Sequence, residues 1–205
     1  MRIKSLVAAM AAVASLAPVA AQAQSSSENP WMVRARAVYT DWQNGQANGL
    51  NAYNITAQKE WIPEVDISYF FTKNIATELV LTYPQNVNIN VGGNKQGTIK
   101  ALPPSLVLQY HFTDFGAFKP YVGAGVNYTI FSDRNNILGG AASVSSSSFG
   151  AVGQIGMDYM FDKNWGLNLD VKYITMSTDV SLNGANIGKL NLNPWTPAVG
   201  VTYKF

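Results

Sequence analysis

Trp195-Thr196-Pro197-Ala198-Val199-Gly200-Val201-Thr202-Tyr203-Lys204-Phe205 is the stretch that decides the fold. Trp195, Pro197, Val199, Val201, Tyr203 and Phe205 are apolar or aromatic, while Thr196, Ala198, Gly200, Thr202 and Lys204 between them are small or polar. A two-residue period of this kind is a strand with one apolar face. Ten rises of about 3.3 Å, tilted by about 40°, project to about 25 Å, the height of the apolar band of an outer-membrane barrel. A soluble barrel with an apolar interior uses the same alternation. The strand alone leaves open which way its apolar face points.

The start of the chain predicts the compartment. Arg2 and Lys4 precede an apolar run from Leu6 to Ala17, and Ala21-Gln22-Ala23 is a small-x-small cleavage signal. This pattern predicts a secretory signal peptide over residues 1–23 and a mature domain over residues 24–205. The chain has no cysteine, so it has neither disulfides nor a lipidated cysteine at the cut. Of the 14 Lys and Arg residues, Arg2 and Lys4 leave with the signal, so the mature chain balances its 12 acidic residues. A neutral domain gives no argument for nucleic acid as a partner. No later apolar run is long enough for a transmembrane helix. Few charges, many aromatics and near-zero mean hydropathy are nevertheless how a transmembrane barrel looks in composition.

Seven more segments alternate like the first: Trp31 to Trp42, Glu64 to Phe71, Ile75 to Tyr83, Leu102 to Phe112, Phe118 to Phe131, Phe149 to Tyr159 and Trp165 to Thr175. Asp41 to Glu60, Pro84 to Gly97, Ser132 to Ser147 and Ser177 to Leu190 are polar and read as long loops. Thr72-Lys73-Asn74, Thr113 to Ala117 and Phe161 to Asn164 are short turns. Long and short connections therefore alternate. Antiparallel strands joined in this way place every long loop at one end, and an even number lets the first strand close on the last. The expectation is an all-β protein, an eight-stranded antiparallel up-and-down barrel with long extracellular loops and short periplasmic turns.

Charges choose the direction of the apolar face. Arg34, Arg36, Asp66, Glu78, Asp158, Asp170, Lys172 and Lys204 all lie on the parity opposite the aliphatics. Aromatics on the aliphatic parity collect at strand ends: Tyr39, Tyr83, Tyr110, Phe112, Tyr159, Trp165, Tyr173, Trp195 and Phe205. Two belts of amphipathic rings are what the two bilayer interfaces favour. The barrel is predicted to be transmembrane, in a bacterial outer membrane. Its surroundings would be membrane lipid and lipopolysaccharide. A monomer is expected, because the lipid face carries no polar seam.

Six segments also resemble one known family. They are Asn29-Pro30-Trp31-Met32-Val33-Arg34-Ala35-Arg36, Leu102-Pro103-Pro104-Ser105-Leu106, Gln109-Tyr110-His111-Phe112, Lys119-Pro120-Tyr121-Val122-Gly123-Ala124-Gly125, Asp162-Lys163-Asn164-Trp165 and Asn193-Pro194-Trp195. In this order the chain resembles the OmpW family of small bacterial outer-membrane proteins over its mature length. The resemblance implies an eight-stranded barrel with a narrow hydrophobic channel for small apolar molecules. The terminal aromatics Tyr203 and Phe205 likewise resemble the C-terminal signal by which the barrel-assembly machinery takes up such proteins.

The interior parity suggests what the lumen does. Arg34, Arg36, Asp66, His111, Asp158 and Lys204 form a candidate polar plug near the periplasmic end, because opposite charges buried together are far better than any one alone. A purely structural network is the simpler reading of these residues. Toward the extracellular end Val38, Val80, Phe131, Ile174 and Met176 are candidate linings of an apolar cup. If they are sealed under loops or face lipid, a non-transporting structural or receptor barrel gains. Pro84, Pro103 and Pro104 lack backbone donors at adjoining strand ends, which marks a candidate lateral opening or a loop that simply starts early. His111 is the sole histidine. No catalytic triad, metal site or cofactor is expected, although one acid, Asp133, with Asn135-Asn136 could brush a calcium ion.

Overall fold

The computed structural model describes residues 29–47, 54–134 and 137–205. The expected signal peptide, residues 1–23, and the Asn135-Asn136 pair lie outside these. The strands are β1 (Trp31–Thr40), β2 (Gly45–Ala47), β3 (Ile55–Ala57), β4 (Glu60–Phe70), β5 (Ile75–Thr82), β6 (Gln85–Val91), β7 (Asn94–Leu102), β8 (Ser105–His111), β9 (Phe118–Ser132), β10 (Ala142–Val144), β11 (Ser147–Met160), β12 (Trp165–Ile174), β13 (Ser177–Leu182), β14 (Ala185–Asn191) and β15 (Trp195–Lys204). Eight of them, β1, β4, β5, β8, β9, β11, β12 and β15, pair antiparallel in that order. β15 returns to β1 in the register Met32↔Lys204 to Val38↔Ala198, so the sheet closes and has no edge. The expected eight-stranded barrel is the one found.

The apolar parity is outside. Along β15 and the terminal residue after it, Trp195, Val199, Val201 and Phe205 are 46–51% exposed, while Thr196, Ala198 and Thr202 are buried. Only a lipid solvent makes that arrangement favourable, because water penalises so continuous an apolar surface. Cross-strand aromatic pairs ring both ends. Trp31–Tyr69 and Trp165–Tyr203 have ring centroids 4.9 and 4.8 Å apart at the periplasmic end. Tyr39–Trp61 and Tyr173–Trp195 are 5.3 and 4.8 Å apart at the other. At the periplasmic turn after β11, Asp162 accepts the N–H groups of Trp165 and Asn164. Those bonds hold its exposed carboxyl below the usual carboxylate range.

Three boundaries differ from the sequence reading. β4 begins at Glu60, so Trp61 and Pro63 belong to the wall and Trp61 joins the outer belt. Leu102 ends β7, whereas the fourth wall strand, β8, starts only at Ser105, beyond the two prolines. The long loops are also not irregular: they carry seven short strands. β3, β6 and β7 extend the wall above β9, and β10, β13, β14 and β2 form a separate four-stranded sheet. In β6, Val87 and Ile89 alternate with Asn86, Asn88 and Asn90. Asparagine disfavours strands and favours turns, so an alternation built on it reads as loop.

Candidate functional site

Charges meet inside the lower barrel because alternate residues of every wall strand must point there. These side chains are buried, so each ion needs a partner. Arg34 from β1 makes a bidentate pair with Asp158 of β11, at 3.1 and 2.7 Å, and reaches Glu78 of β5 at 2.6 Å. Arg36, one step up β1, lies 2.8 Å from both Asp66 and Glu78 and 2.9 Å from Asp170. Lys172 of β12 spans the lumen to Glu64 of β4 at 2.8 Å and also meets Asp170 at 3.0 Å.

Five carboxylates thus share three cations, and neutral donors cover remaining oxygens. The Gln154 amide donates to Glu78 and Asp170, both at 2.8 Å. The Tyr121 hydroxyl donates to Asp170 at 2.8 Å, and Asn168 and Thr202 donate to Asp158 at 2.9 and 2.5 Å. Gly156 makes the room: a Cβ there would strike the Tyr121 phenol.

Four of the six residues expected in the plug, Arg34, Arg36, Asp66 and Asp158, are joined in this network. His111 sits beside it. Its Nε2 is 3.0 Å from the Gln109 amide oxygen, and its ring lies 4.8 Å from Phe70 and 4.9 Å from Tyr121. Lys204 lies lower and half-buried, its ammonium 5.5 Å from the centroid of the Phe70 ring. Glu64, Glu78, Asp170, Lys172 and Gln154 were missed as members of the network. Parity put them inside, but strand tilt brings residues at different heights along their strands to one level, which a strand-by-strand reading does not show.

Above the plug lies an apolar cavity, but this cup is built mainly by other residues than those expected. Val38 packs with Ile62 and Ala198. Val80 is buried in the wall's interior face. Ile174 and Met176 belong to a larger cluster with Val107, Val152, Leu190 and Leu192. Of the five predicted lining residues only Phe131 borders the cavity itself. Trp42, just past the end of β1, and Ile55, Val87, Ile89, Ile99, Val180 and Leu190, from strands of the extracellular segments, wall most of the rest. The free volume is about 40 Å³, room for a few water molecules and not for a ligand-sized solute. Phe131, Ile174 and Met176 are therefore sealed beneath the loop strands in this conformation.

The wall is incomplete beside this cavity. The β5–β8 ladder runs from Ile75↔Tyr110 only to Val80↔Ser105. Beyond it a ladder resumes only at Gln85↔Ala101, where β6 pairs with β7, while β7 also pairs with β9 from Lys100↔Ser132 to Leu102↔Ile130. Residues 81–84 and 102–104 therefore have no ladder between them, and Pro84, Pro103 and Pro104 all fall in that interval. Unpaired backbone is costly in lipid. Asn127 of β9 covers part of it, its amide donating to the carbonyls of Pro103 and Pro104 at 3.2 and 3.1 Å. The Tyr128 N–H adds a bond to Pro104 at 3.1 Å.

Known proteins are similar to this chain in sequence and architecture. The model of the OmpW family matches residues 30–205. The chain is 44% identical over 185 residues to an uncharacterized outer-membrane protein, y4mB, of Sinorhizobium fredii, a match spanning 86% of this chain and 80% of that one. It is 32% identical over 176 residues to outer membrane protein W of Escherichia coli, spanning 81% and 82%. The crystal structure of OprG from Pseudomonas aeruginosa superposes with a TM-score of 0.74 at 29% identity, covering 85% of this chain and 95% of OprG. Inverted parity, a closed eight-stranded wall, aromatic belts and these matches agree: the chain belongs to the OmpW family and is an outer-membrane β-barrel.

Proposed function

We propose that this barrel conducts small hydrophobic molecules into the outer membrane, taking them into the apolar cavity and releasing them sideways above the plug. One juxtaposition carries the reading: an apolar cavity lies over an ion-paired floor and beside a wall segment that lacks a ladder. A greasy solute has no route down, because crossing the plug would separate buried charges from their partners. The missing ladder offers it the bilayer instead. Proteoliposomes containing the barrel should take up a fluorescent apolar probe faster than protein-free vesicles, while their permeability to a sugar of similar size stays unchanged. Equal probe uptake in both would end the proposal.

A second reading has its own support. Phe131, Ile174 and Met176 are sealed and the cavity is small, as suits a non-transporting barrel whose loops bind external partners. The same uptake measurement separates the two, since that barrel leaves probe uptake at the protein-free rate.

Assembly is a further proposal. The Phe205 N–H donates to the Trp31 carbonyl at 3.1 Å and its ring meets Tyr203 at 4.9 Å, so the residue finishes the barrel seam. As a recognition element for the assembly machinery, it acts before folding is complete. Deleting Phe205 should lower the amount of folded barrel in the membrane several-fold and leave uptake per folded molecule unchanged. Normal folded amounts, by heat-modifiable gel mobility, would sink this. Cleavage after Ala23 is checked by sequencing the N-terminus of the membrane-extracted protein. Lipid and lipopolysaccharide at the outer belt, and a monomeric state, belong to the same proposal.

A further inference from the structure

The extracellular segments form two leaves over the cavity, β3-β6-β7 on one side and β10-β13-β14-β2 on the other. One edge strand of each leaf, β3 and β2, comes from the connection between β1 and β4. β1 and β4 pair up to Thr40↔Glu60, and above that point their chains part. The Gln43 N–H goes to the Leu192 carbonyl at 2.9 Å, and Gly45 pairs with Asn191. On the other side the Gln58 N–H goes to Asn88 at 3.1 Å, and Ala57 pairs with Ile89. At this fork each backbone is committed to its own leaf.

Side chains bridge the fork. Lys59 meets Asp41 at 2.6 Å, at a site where both side chains are close to half exposed and the pair is weak. The Trp42 indole N–H donates to the Gln58 carbonyl at 3.2 Å. Asn44 makes the closest imitation of a ladder pair. Its amide oxygen accepts the Ala57 N–H at 2.7 Å, and its amide nitrogen lies 3.4 Å from the Ala57 carbonyl. Asn44 has φ of 54°, a left-handed conformation that asparagine and glycine tolerate best. Trp42 and Ile55, each two residues from a partner in this pair, border the cavity.

We infer that Asn44 is the clasp of an external entrance: the fork between the two leaves is where an apolar solute passes from outside into the cavity, and the Asn44–Ala57 pairing holds it shut. This rests on the cavity being the solute's path, as proposed above. A few side-chain hydrogen bonds are weak enough to break in thermal opening, while the backbone ladders within each leaf stay intact.

The chain has no cysteine, so a single reporter thiol can be read cleanly. Ile99→Cys places one on the cavity wall, at a position 1% exposed, and Val180→Cys is a second reporter should the first misfold. Labelling by a membrane-impermeant maleimide reports opening without any transport. Asn44→Gly keeps the left-handed backbone and removes only the clasp, and it should raise the labelling rate roughly tenfold, as expected for losing one or two hydrogen bonds. Asn44→Asp keeps the acceptor for the Ala57 N–H and should fall between. In the reporter-free chain, Asn44→Cys with Ala57→Cys, oxidised, should abolish probe uptake, and reduction should restore it.

Unchanged labelling in Asn44→Gly with both reporters overturns the clasp. Uptake that persists in the oxidised pair overturns the fork as the entrance. If labelling rises in Asn44→Gly while the parent barrel takes up no probe, the clasp stands and the transport reading falls.

Discussion

Arg36→Leu is expected to lower the stability of the folded barrel by roughly 3–5 kcal/mol or more, or to stop assembly altogether. Arg36 is fully enclosed and stands between Asp66, Glu78 and Asp170 at 2.8–2.9 Å, with Glu64 at 3.7 Å. Removing it leaves three carboxylates crowded in a buried interior, with Arg34, Lys172, the Gln154 amide and the Tyr121 hydroxyl to compensate. The loss is larger than the worth of the pairs themselves, because a stranded buried charge pays its full desolvation. Arg36→Lys keeps the charge but not the planar fork that reaches several acids at once, so it should recover only part of the stability. Lys204→Ala, at the half-buried rim, should cost far less. Urea titration of the purified barrel, followed by the mobility of unboiled samples, ranks the three. Arg36→Leu unfolding at the parental urea concentration would mean that the network does not hold the barrel together.

Replacing Pro84, Pro103 and Pro104 together with Thr or Val should reduce uptake of the apolar probe by roughly tenfold or more without changing the amount of folded protein. Each substitution returns a backbone donor. β5 could then extend its ladder past Val80↔Ser105 toward residues 102–104 and close the interval beside the cavity. The substituted residues are neither charged nor part of the plug, so stability should change little. A bifunctional thiol reagent joining Thr82→Cys to Pro103→Cys tests the same exit without relying on a new ladder. If both the triple variant and the joined pair take up probe at the parental rate, the sideways exit is gone.

The wall could be read from the residues because its solvent changes at every second side chain. In Trp195 to Phe205 the apolar parity is unbroken, and the charges of all the other wall strands fall on the opposite one. That rule sorted Arg34, Arg36, Asp66 and Asp158 into the lumen one by one. It could not pair them. Lys172 meets Glu64 across 108 positions of sequence, and only the tilt and closure of the sheet bring them to one level. The cup failed for another reason. Val38, Val80, Ile174 and Met176 were assigned to its lining by continuing the wall upward, whereas the cavity is roofed by β6, β7, β13 and β14. Their apolar residues alternate with Asn, Ser, Thr and Gly, which look like turn composition until two sheets enclose them.

Two-residue alternation, the opposition of charged and aliphatic faces, and the height of the aromatic belts are local properties, so the sequence by itself determined the barrel, its eight strands, its inverted parity and its membrane. Which charges neutralise which, where the wall lacks its ladder, and how the extracellular segments fold over the cavity were decided only by the tertiary structure. The physical reason is range. Burial acts on each side chain wherever its strand places it, but an ion pair, a missing hydrogen bond or a clasp such as Asn44–Ala57 exists only between segments that closure of the sheet brings together.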